Sequence, residues 1–231
     1  MAGTAAALPA KLSLKWTYEA KAAVDSTAAI VGDTVYIGTG KGELLALRLA
    51  DGKLKWKFAT AGSVSAAPCV MAGAVFIGDQ DGNFYAVNAA TGKAAWKFTA
   101  GSEIISSATP APGVVLVGSY DSTLYCLHAG SGKLKWKFQA EAQVHCSPCV
   151  TGSDVIIAGC DGKVRMIALA TGKQRVAAAV EGNLSAAPAF LAGTVYLGTL
   201  NGEYLAVRTK DAAIAWRFRE EADGGGCYAS A

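Results

Sequence analysis

The sequence predicts an all-β protein, a β-propeller of four-stranded antiparallel blades with about five complete 40-residue repeats plus a partial one. The first observation is that tryptophan recurs at multiples of forty residues, and only the slot at Val176 is unfilled. The second is that glycines keep the same register without an insertion or deletion. A fixed period near forty residues is typical of repeat architectures. The series are Trp16, Trp56, Trp96, Trp136 and Trp216; Gly38, Gly78, Gly118 and Gly198, with Ala158 as the exception; and Gly52, Gly92, Gly132 and Gly172, with Ala212 as the exception.

Each unit divides into four short strands. In residues 65–98, a small apolar segment at 65–70 is followed by a β-branched and aromatic segment at 74–78. Asp-Gly at 81–82 is a hairpin signal, and Thr-Gly-Lys at 91–93 marks another turn before the strand that carries Trp96. No segment shows a helical period with caps. Because so small a sheet cannot bury both faces alone, we expect the sheets to pack face to face around an axis.

The repeat places the whole chain, residues 1–231, in a single propeller domain. A lone strand with Trp16 precedes the first unit. In a closed ring the terminal strands usually share a blade, so we expect the two termini to lie at a common seam and a partner or second copy to bind there. The units cover approximately residues 21–60, 61–100, 101–140, 141–180 and 181–220, followed by a tail at 221–231.

Composition narrows the class of protein. The chain has 231 residues, 52% of them hydrophobic, which is ample for one core. Its net charge of +3 is too small to indicate nucleic-acid binding. No apolar run reaches the roughly 18 residues needed to span a bilayer. The amino terminus lacks the pattern of a secretory signal, which favours a cytoplasmic protein, or a periplasmic or organellar one if a targeting segment was removed.

Two segments of the first repeat resemble a known pattern. Residues 35–47 (VYIGTGKGELLAL) and 51–56 (DGKLKW) are similar to the pyrroloquinoline-quinone-type propeller repeat, and residues 85–96 and 124–136 repeat the pattern. The resemblance implies the propeller fold. It leaves function open, because the family includes quinoprotein dehydrogenases, the propeller lipoprotein of the outer-membrane β-barrel assembly machinery, sensor domains and the carboxy-terminal propeller of the β-alanine-activating enzyme.

A quinone cofactor in this family needs a carboxylate base, a calcium site and a stacking platform, and the dehydrogenases add a pair of adjacent cysteines. The chain has no such cysteine pair and no long insertion, so we expect no cofactor. Its two histidines, His128 and His145, stand near no recognisable nucleophile turn. We therefore expect no catalytic residues.

The cysteines near residue 150 form one metal-binding candidate. His145, Cys146, Cys149 and Cys160 have a spacing that zinc ligands can show. However, Cys149 takes the repeat position of Cys69, inside a strand whose successive side chains alternate between faces. We therefore expect buried small side chains and no metal.

Other departures from the repeat have both structural and functional interpretations. Lysines beside the tryptophans would protect the exposed edge strand of each blade or form a basic wall for an acidic partner. Val176 would be a drifted copy or mark a flattened rim where a partner docks. Loop or face contacts would explain Arg48, Arg165 and Arg208. The lysines are Lys53, Lys55, Lys57, Lys93, Lys97, Lys133, Lys135 and Lys137.

From these observations we expect a non-catalytic propeller that mediates protein–protein interaction within a larger assembly, through a propeller face, its rim or the terminal seam. The alternative is a quinoprotein-type oxidoreductase or sensor domain that has lost or lacks its cofactor site.

Overall fold

The computed structural model describes residue 11, residues 13–184 and residues 186–219, and every regular element in this part of the chain is a β-strand. The strands form five four-stranded antiparallel sheets, in which chain order is also spatial order. The predicted all-β propeller is thus confirmed, and the predicted tail at 221–231 lies outside the described residues. None of the described segments is a helix that could cross a membrane.

The blades have closely matching bounds. The first contains β1 (Ala29–Val31), β2 (Thr34–Thr39), β3 (Glu43–Arg48) and β4 (Leu54–Ala59); the second β5 (Cys69–Met71), β6 (Ala74–Gly78), β7 (Asn83–Asn88) and β8 (Ala94–Thr99); the third β9 (Thr109–Ala111), β10 (Val114–Gly118), β11 (Thr123–His128) and β12 (Leu134–Gln139); the fourth β13 (Cys149–Thr151), β14 (Asp154–Ala158), β15 (Lys163–Ala168) and β16 (Gln174–Ala179); the fifth β17 (Ala189–Leu191), β18 (Thr194–Gly198), β19 (Glu203–Arg208) and β20 (Ile214–Arg219).

The hydrophobic core lies between the blades. In the first four sheets the second and third strands are largely buried on both faces, whereas the fourth strand exposes most of its residues and partly or fully buries the tryptophan position. One cluster of apolar side chains fills each junction between successive blades. The shortest strands, β1, β5, β9, β13 and β17, contact one another in that order along the inner side of the array. Each blade is therefore stabilised mainly by its neighbours, as in other repeat proteins.

The segment before the first blade caps that blade. Trp16, Tyr18 and Ala20 pack on a cluster formed by Val35, Leu45 and Leu47 of the first sheet. The seam expected between the two termini involves residues 1–10 and 220–231, which lie outside the described residues, so it stays a prediction.

The antiparallel topology separates two ends of every blade. Turns between the second and third strands, and the links from one blade to the next, lie at one end, which we call the connector face. It comprises the turns at 40–42, 80–82, 120–122, 160–162 and 200–202 and the links at 60–68, 100–108, 140–148 and 180–188. Hydrogen bonds join turn to link, as in Gln80 N to Ser63 O at 2.9 Å.

Candidate functional site

Repeat tryptophans join three of the four junctions between successive blades. The indole Nε1–H of Trp56 donates to the carbonyl of Ala89 at 2.9 Å, and the other interior tryptophans bond the carbonyl 33 positions later in the same way. Gly92 lies under the indole of Trp56, where an added Cβ would come within 2.7 Å of the ring. Its φ of +70° is also one that L side chains rarely adopt. Tryptophan and glycine thus form one interblade contact.

Two exceptions to the repeat lie at one junction, between the fourth and fifth blades. Val176 stands where the other blades have tryptophan, and Ala212, 36 positions later, stands where the matching glycine would be. Val176, Ala212 and Ile214 pack on the same core cluster. Ala212 keeps the left-handed backbone of the turn, with φ of +58°. Because a valine is smaller than an indole, the junction has room for the Cβ of Ala212.

The second glycine series also reflects close packing between blades. A Cβ at Gly38, Gly78 or Gly118 would overlap atoms of Val64, Ile104 or Val144 in the following link. Gly198 ends β18 in the fifth blade at the corresponding position.

Three of the four metal-binding candidates lie together on the connector face. His145 Nδ1 lies 3.1 Å from Cys160 Sγ, and its Nε2 lies 3.7 Å from Cys146 Sγ. The ring of Tyr120 meets the imidazole edge-on at 6.2 Å between centroids. Cys149 instead packs with the core cluster between the fourth and fifth blades. The two thiols contact different nitrogens of one ring. The described residues contain no group of three or more potential ligands arranged to hold a metal ion.

The electrostatics of this cluster keep its members neutral. Burial raises the pKa of Cys146 to about 12 and also raises the pKa of Cys160. Burial lowers the pKa of His145 below its ordinary value. An activated cysteine has a lowered pKa, which these two thiols do not show. That the cysteines bind no metal stays a prediction.

A buried carboxylate fixes the connector face of the second blade. Asp79 is fully buried and accepts hydrogen bonds from the backbone N–H groups of Asn83 (2.8 Å) and Gly62 (3.1 Å) and from the Tyr85 hydroxyl (3.0 Å). These bonds tie the turn between β6 and β7 to the preceding link. The sequence alone predicts only a hairpin turn here. The recurrence of an acid four to six positions before a tyrosine could have revealed the network.

The third and fourth blades use variations of the same arrangement. In the third, the Tyr125 hydroxyl donates to Asp121 at 2.6 Å. In the fourth, Arg165 takes the repeat position of that tyrosine, and its guanidinium lies 2.6 Å from Asp161. The Arg165 side chain is 3% exposed, and Glu141 lies 3.4 Å away on its solvent side. Arg165 therefore has a structural partner and replaces a phenol by a buried ion pair.

Several of the other singled-out basic residues also have partners within their blades. Arg48 pairs with Asp51 at 3.1 Å, and the side chain of Arg208 pairs with Asp211 at 3.0 Å. On β4, Lys55 and Lys57 each pair with a carboxylate at 2.9 Å, from Asp33 and Glu43 respectively. These pairs are largely solvent-exposed, so each contributes little to stability.

Both ends of the blades keep a repeated glycine in four of five turns, but one position of the connector face differs in every blade. Four of the five turns between third and fourth strands carry the glycine that receives an indole. On the connector face, one repeat position holds five different residues: Gly40, Gln80, Tyr120, Cys160 and Leu200. Close packing restricts the glycines, whereas this one position is partly or fully exposed in all five blades and is free to vary. The position that distinguishes the blades chemically therefore lies on the connector face.

An apolar face of the fifth blade is also exposed, which sequence reasoning did not predict. We call it the terminal face; its side chains include Leu191, Tyr196, Trp216 and Phe218. Trp216 is 47% exposed and Phe218 is 58% exposed. The aromatic rings cluster, with 6.1 Å between the centroids of Tyr196 and Trp216.

Comparison with known families agrees with this architecture. Three overlapping stretches of the chain, residues 5–112, 101–172 and 151–228, match the family described as "Outer membrane protein assembly factor BamB". No curated protein sequence matches the chain.

Solved structures resemble the chain in fold. BamB from Moraxella catarrhalis superposes with a TM-score of 0.78 at 20% identity, covering 89% of this chain and 65% of that one. The computationally designed Ika8 protein gives 0.77 at 17% identity, with coverage of 89% and 64%. Quinohemoprotein alcohol dehydrogenase ADHIIG from Pseudomonas putida HK5 gives 0.76 at 15% identity, with coverage of 90% and 44%. The chain thus spans less than two thirds of each of these structures.

Proposed function

Because the chain belongs to the family described as outer membrane protein assembly factor BamB, whose members are β-propeller repeat proteins, we propose that it is a non-catalytic scaffold that binds a protein partner within a larger assembly. The observation that carries this proposal is the connector-face position of Tyr120. Residues that stack the blades repeat, whereas this partly or fully exposed position holds a different residue in each blade. Binding residues are commonly found on loops that a rigid scaffold positions.

The centre of the proposed binding surface is the third blade. Tyr120 is partly exposed, and its backbone N–H donates to the carbonyl of Glu103 at 2.9 Å, which fixes the turn on the preceding link. Gln80 and Gln143 are exposed on the neighbouring blades. This surface offers one aromatic ring among polar side chains, a composition that protein interfaces often show.

The buried polar groups support a scaffold more than an enzyme. Asp79 accepts hydrogen bonds and Asp161 forms an ion pair, and these interactions stabilise the connector face. The thiols beside His145 are held protonated by burial. These groups stabilise the face and are not poised for proton transfer or nucleophilic attack.

Site-specific crosslinking tests the proposal. A photo-crosslinking amino acid placed at position 120 should capture a protein partner in the cells that produce the chain. The same amino acid at position 133, in an exposed turn at the opposite end of the third blade, is the matched control and should capture nothing. Equal capture from both positions, or capture from neither, contradicts a partner on the connector face.

A ligand titration tests the catalytic alternative. The purified chain mixed with pyrroloquinoline quinone and Ca²⁺ should show no change in the absorbance of the quinone. A saturable change at one quinone per chain would favour the oxidoreductase.

A further inference from the structure

The terminal face is built like a blade junction, but no blade of the described residues covers it. In the second blade, Phe76, Phe84, Trp96 and Phe98 occupy the positions of Tyr196, Tyr204, Trp216 and Phe218. Phe76 and Phe84 are at most 1% exposed, because the third blade packs on them. The equivalent side of the fifth blade exposes Trp216 and Phe218 instead.

The interior junctions show what this kind of face binds. The covering surface is a whole sheet, with aliphatic side chains from its second and third strands, as Val115 and Val117 of β10 pack beside Trp96. It also presents a carbonyl oxygen to the indole N–H, and a glycine that leaves room for the ring. A single peptide segment cannot supply all of these features. An occupant of matching chemistry is therefore a blade of the same repeat.

The chain itself carries one such surface that no complete blade covers within the described residues. It is the outer side of the first blade, with Val35, Leu45 and Leu47, the carbonyl of Leu49 and Gly52. Residues 13–20 now occupy it, and Trp16 donates to Leu49 O at 2.9 Å and lies over Gly52. Trp16 and Trp216 hold the same repeat position. The indole of Trp216 in one copy therefore fits the site on the first blade of another copy that Trp16 occupies.

We propose that the terminal face binds the first blade of a second copy of this chain, head to tail, with Trp216 displacing Trp16 from Leu49 and Gly52. Residues 13–20 form no β-strand and cover the first blade as one segment. A complete four-stranded blade covers the same surface with more apolar area, which favours the exchange. This inference is independent of the partner proposed for the connector face.

The contact joins two different surfaces, so its symmetry is predictable. A head-to-tail contact produces a closed ring if the rotation closes and an open chain of copies if it does not. Association should therefore continue beyond a dimer as concentration rises, unless a ring forms.

Sedimentation velocity of the full chain, at about 1 to 100 µM, tests the proposal. The wild-type chain should associate reversibly, and Trp216→Ala and Phe218→Lys should each weaken association by about tenfold or more. Leu134→Lys is the matched control: Leu134 is 47% exposed on β12, away from both surfaces, and its substitution should change nothing. Circular dichroism melts verify that each variant folds.

Trp16→Ala distinguishes the head-to-tail contact from nonspecific association. It loosens the cap on the acceptor surface, so it should strengthen association by about threefold or more. Contact between two terminal faces, or nonspecific contact, would be unaffected by this change. A wild-type chain that stays monomeric throughout, association that survives Phe218→Lys, or association that Trp16→Ala leaves unchanged or weakens would each overturn the proposal.

Discussion

At the scale of single residues, each interior tryptophan stabilises a junction by packing, by one hydrogen bond and by the space that a glycine leaves. Trp96→Ala removes all three contributions and should lower the free energy of unfolding by about 3 kcal/mol. Trp216→Ala should lower it by less than about 1 kcal/mol, because that ring is 47% exposed and no described blade covers it. Urea denaturation at low protein concentration measures both values. Equal losses would contradict the interlocking role of the tryptophan.

His145 makes the connector face sensitive to acid. Burial lowers its pKa in the folded protein, so near pH 6 the unfolded chain binds more protons than the folded one. The contribution of His145 to stability is therefore complete above the unfolded pKa of about 6.5 and declines as the pH falls toward the lowered folded pKa. Thermal melts from about pH 7.5 to pH 5 should show a smaller loss of stability for His145→Gln than for the wild type.

His128 provides the control for this prediction. It is exposed on β11, outside the cluster with Cys160 and Cys146. His128→Gln removes an imidazole outside the cluster and is measured in parallel. If His145→Gln keeps the wild-type pH dependence, desolvation of the imidazole does not contribute to acid sensitivity.

At the scale of the blade, the fourth junction tests the pairing of tryptophan with glycine. Val176→Trp should be strongly destabilising, because the Cβ of Ala212 stands where the indole needs space. Ala212→Gly alone relieves the left-handed backbone of the turn but opens a gap beside Val176. Together the two changes recreate the contact seen in the other junctions. The double variant should therefore lose at least about 1 kcal/mol less unfolding free energy than the sum of the losses in the two single variants. A double-mutant cycle from urea denaturation measures this coupling, and strict additivity would show that the two positions are unrelated.

The buried ion pair of the fourth blade gives a second test. Asp161→Asn leaves the Arg165 guanidinium buried without its nearest carboxylate and should cost about 3 kcal/mol. Arg165→Tyr introduces the residue that the third blade has at this position, where the Tyr125 hydroxyl bonds Asp121. It should therefore cost much less than Asp161→Asn in urea denaturation. A larger cost for Arg165→Tyr would mean that the guanidinium has a role beyond its carboxylate.

The sequence allowed the strands of each blade to be predicted, because short alternating segments between Asp-Gly and Thr-Gly turns have few other solutions. It also showed that Val176 and Ala212 are exceptions, but not that they touch, because the contact joins successive blades 36 positions apart. The repeat predicts that Cys149 lies in a strand, as it does in the structure. It does not predict the approach of His145 to Cys160, because that contact depends on how the link at 140–148 packs on the turn at 160–162. The exposure of Trp216 could not be read from a sequence pattern that matches the buried Trp136, since it depends on whether another blade follows in space.

At the scale of the whole molecule, the two ends of the array differ, and the difference predicts where unfolding starts. Residues 13–20 cover Val35, Leu45 and Leu47 of the first blade, which are at most 7% exposed. Each blade in such an array is coupled chiefly to its neighbours. A chain that lacks residues 1–20 should therefore exchange amide hydrogens faster in β2 and β3, while β10 and β11 of the third blade keep their protection. Hydrogen exchange with mass spectrometry resolves these strands, and Lys15→Ala, which keeps Trp16, serves as the control. A uniform rise in exchange through all five blades would show that the propeller unfolds as one unit, and unchanged exchange in β2 would show that the amino-terminal segment does not cap the first blade.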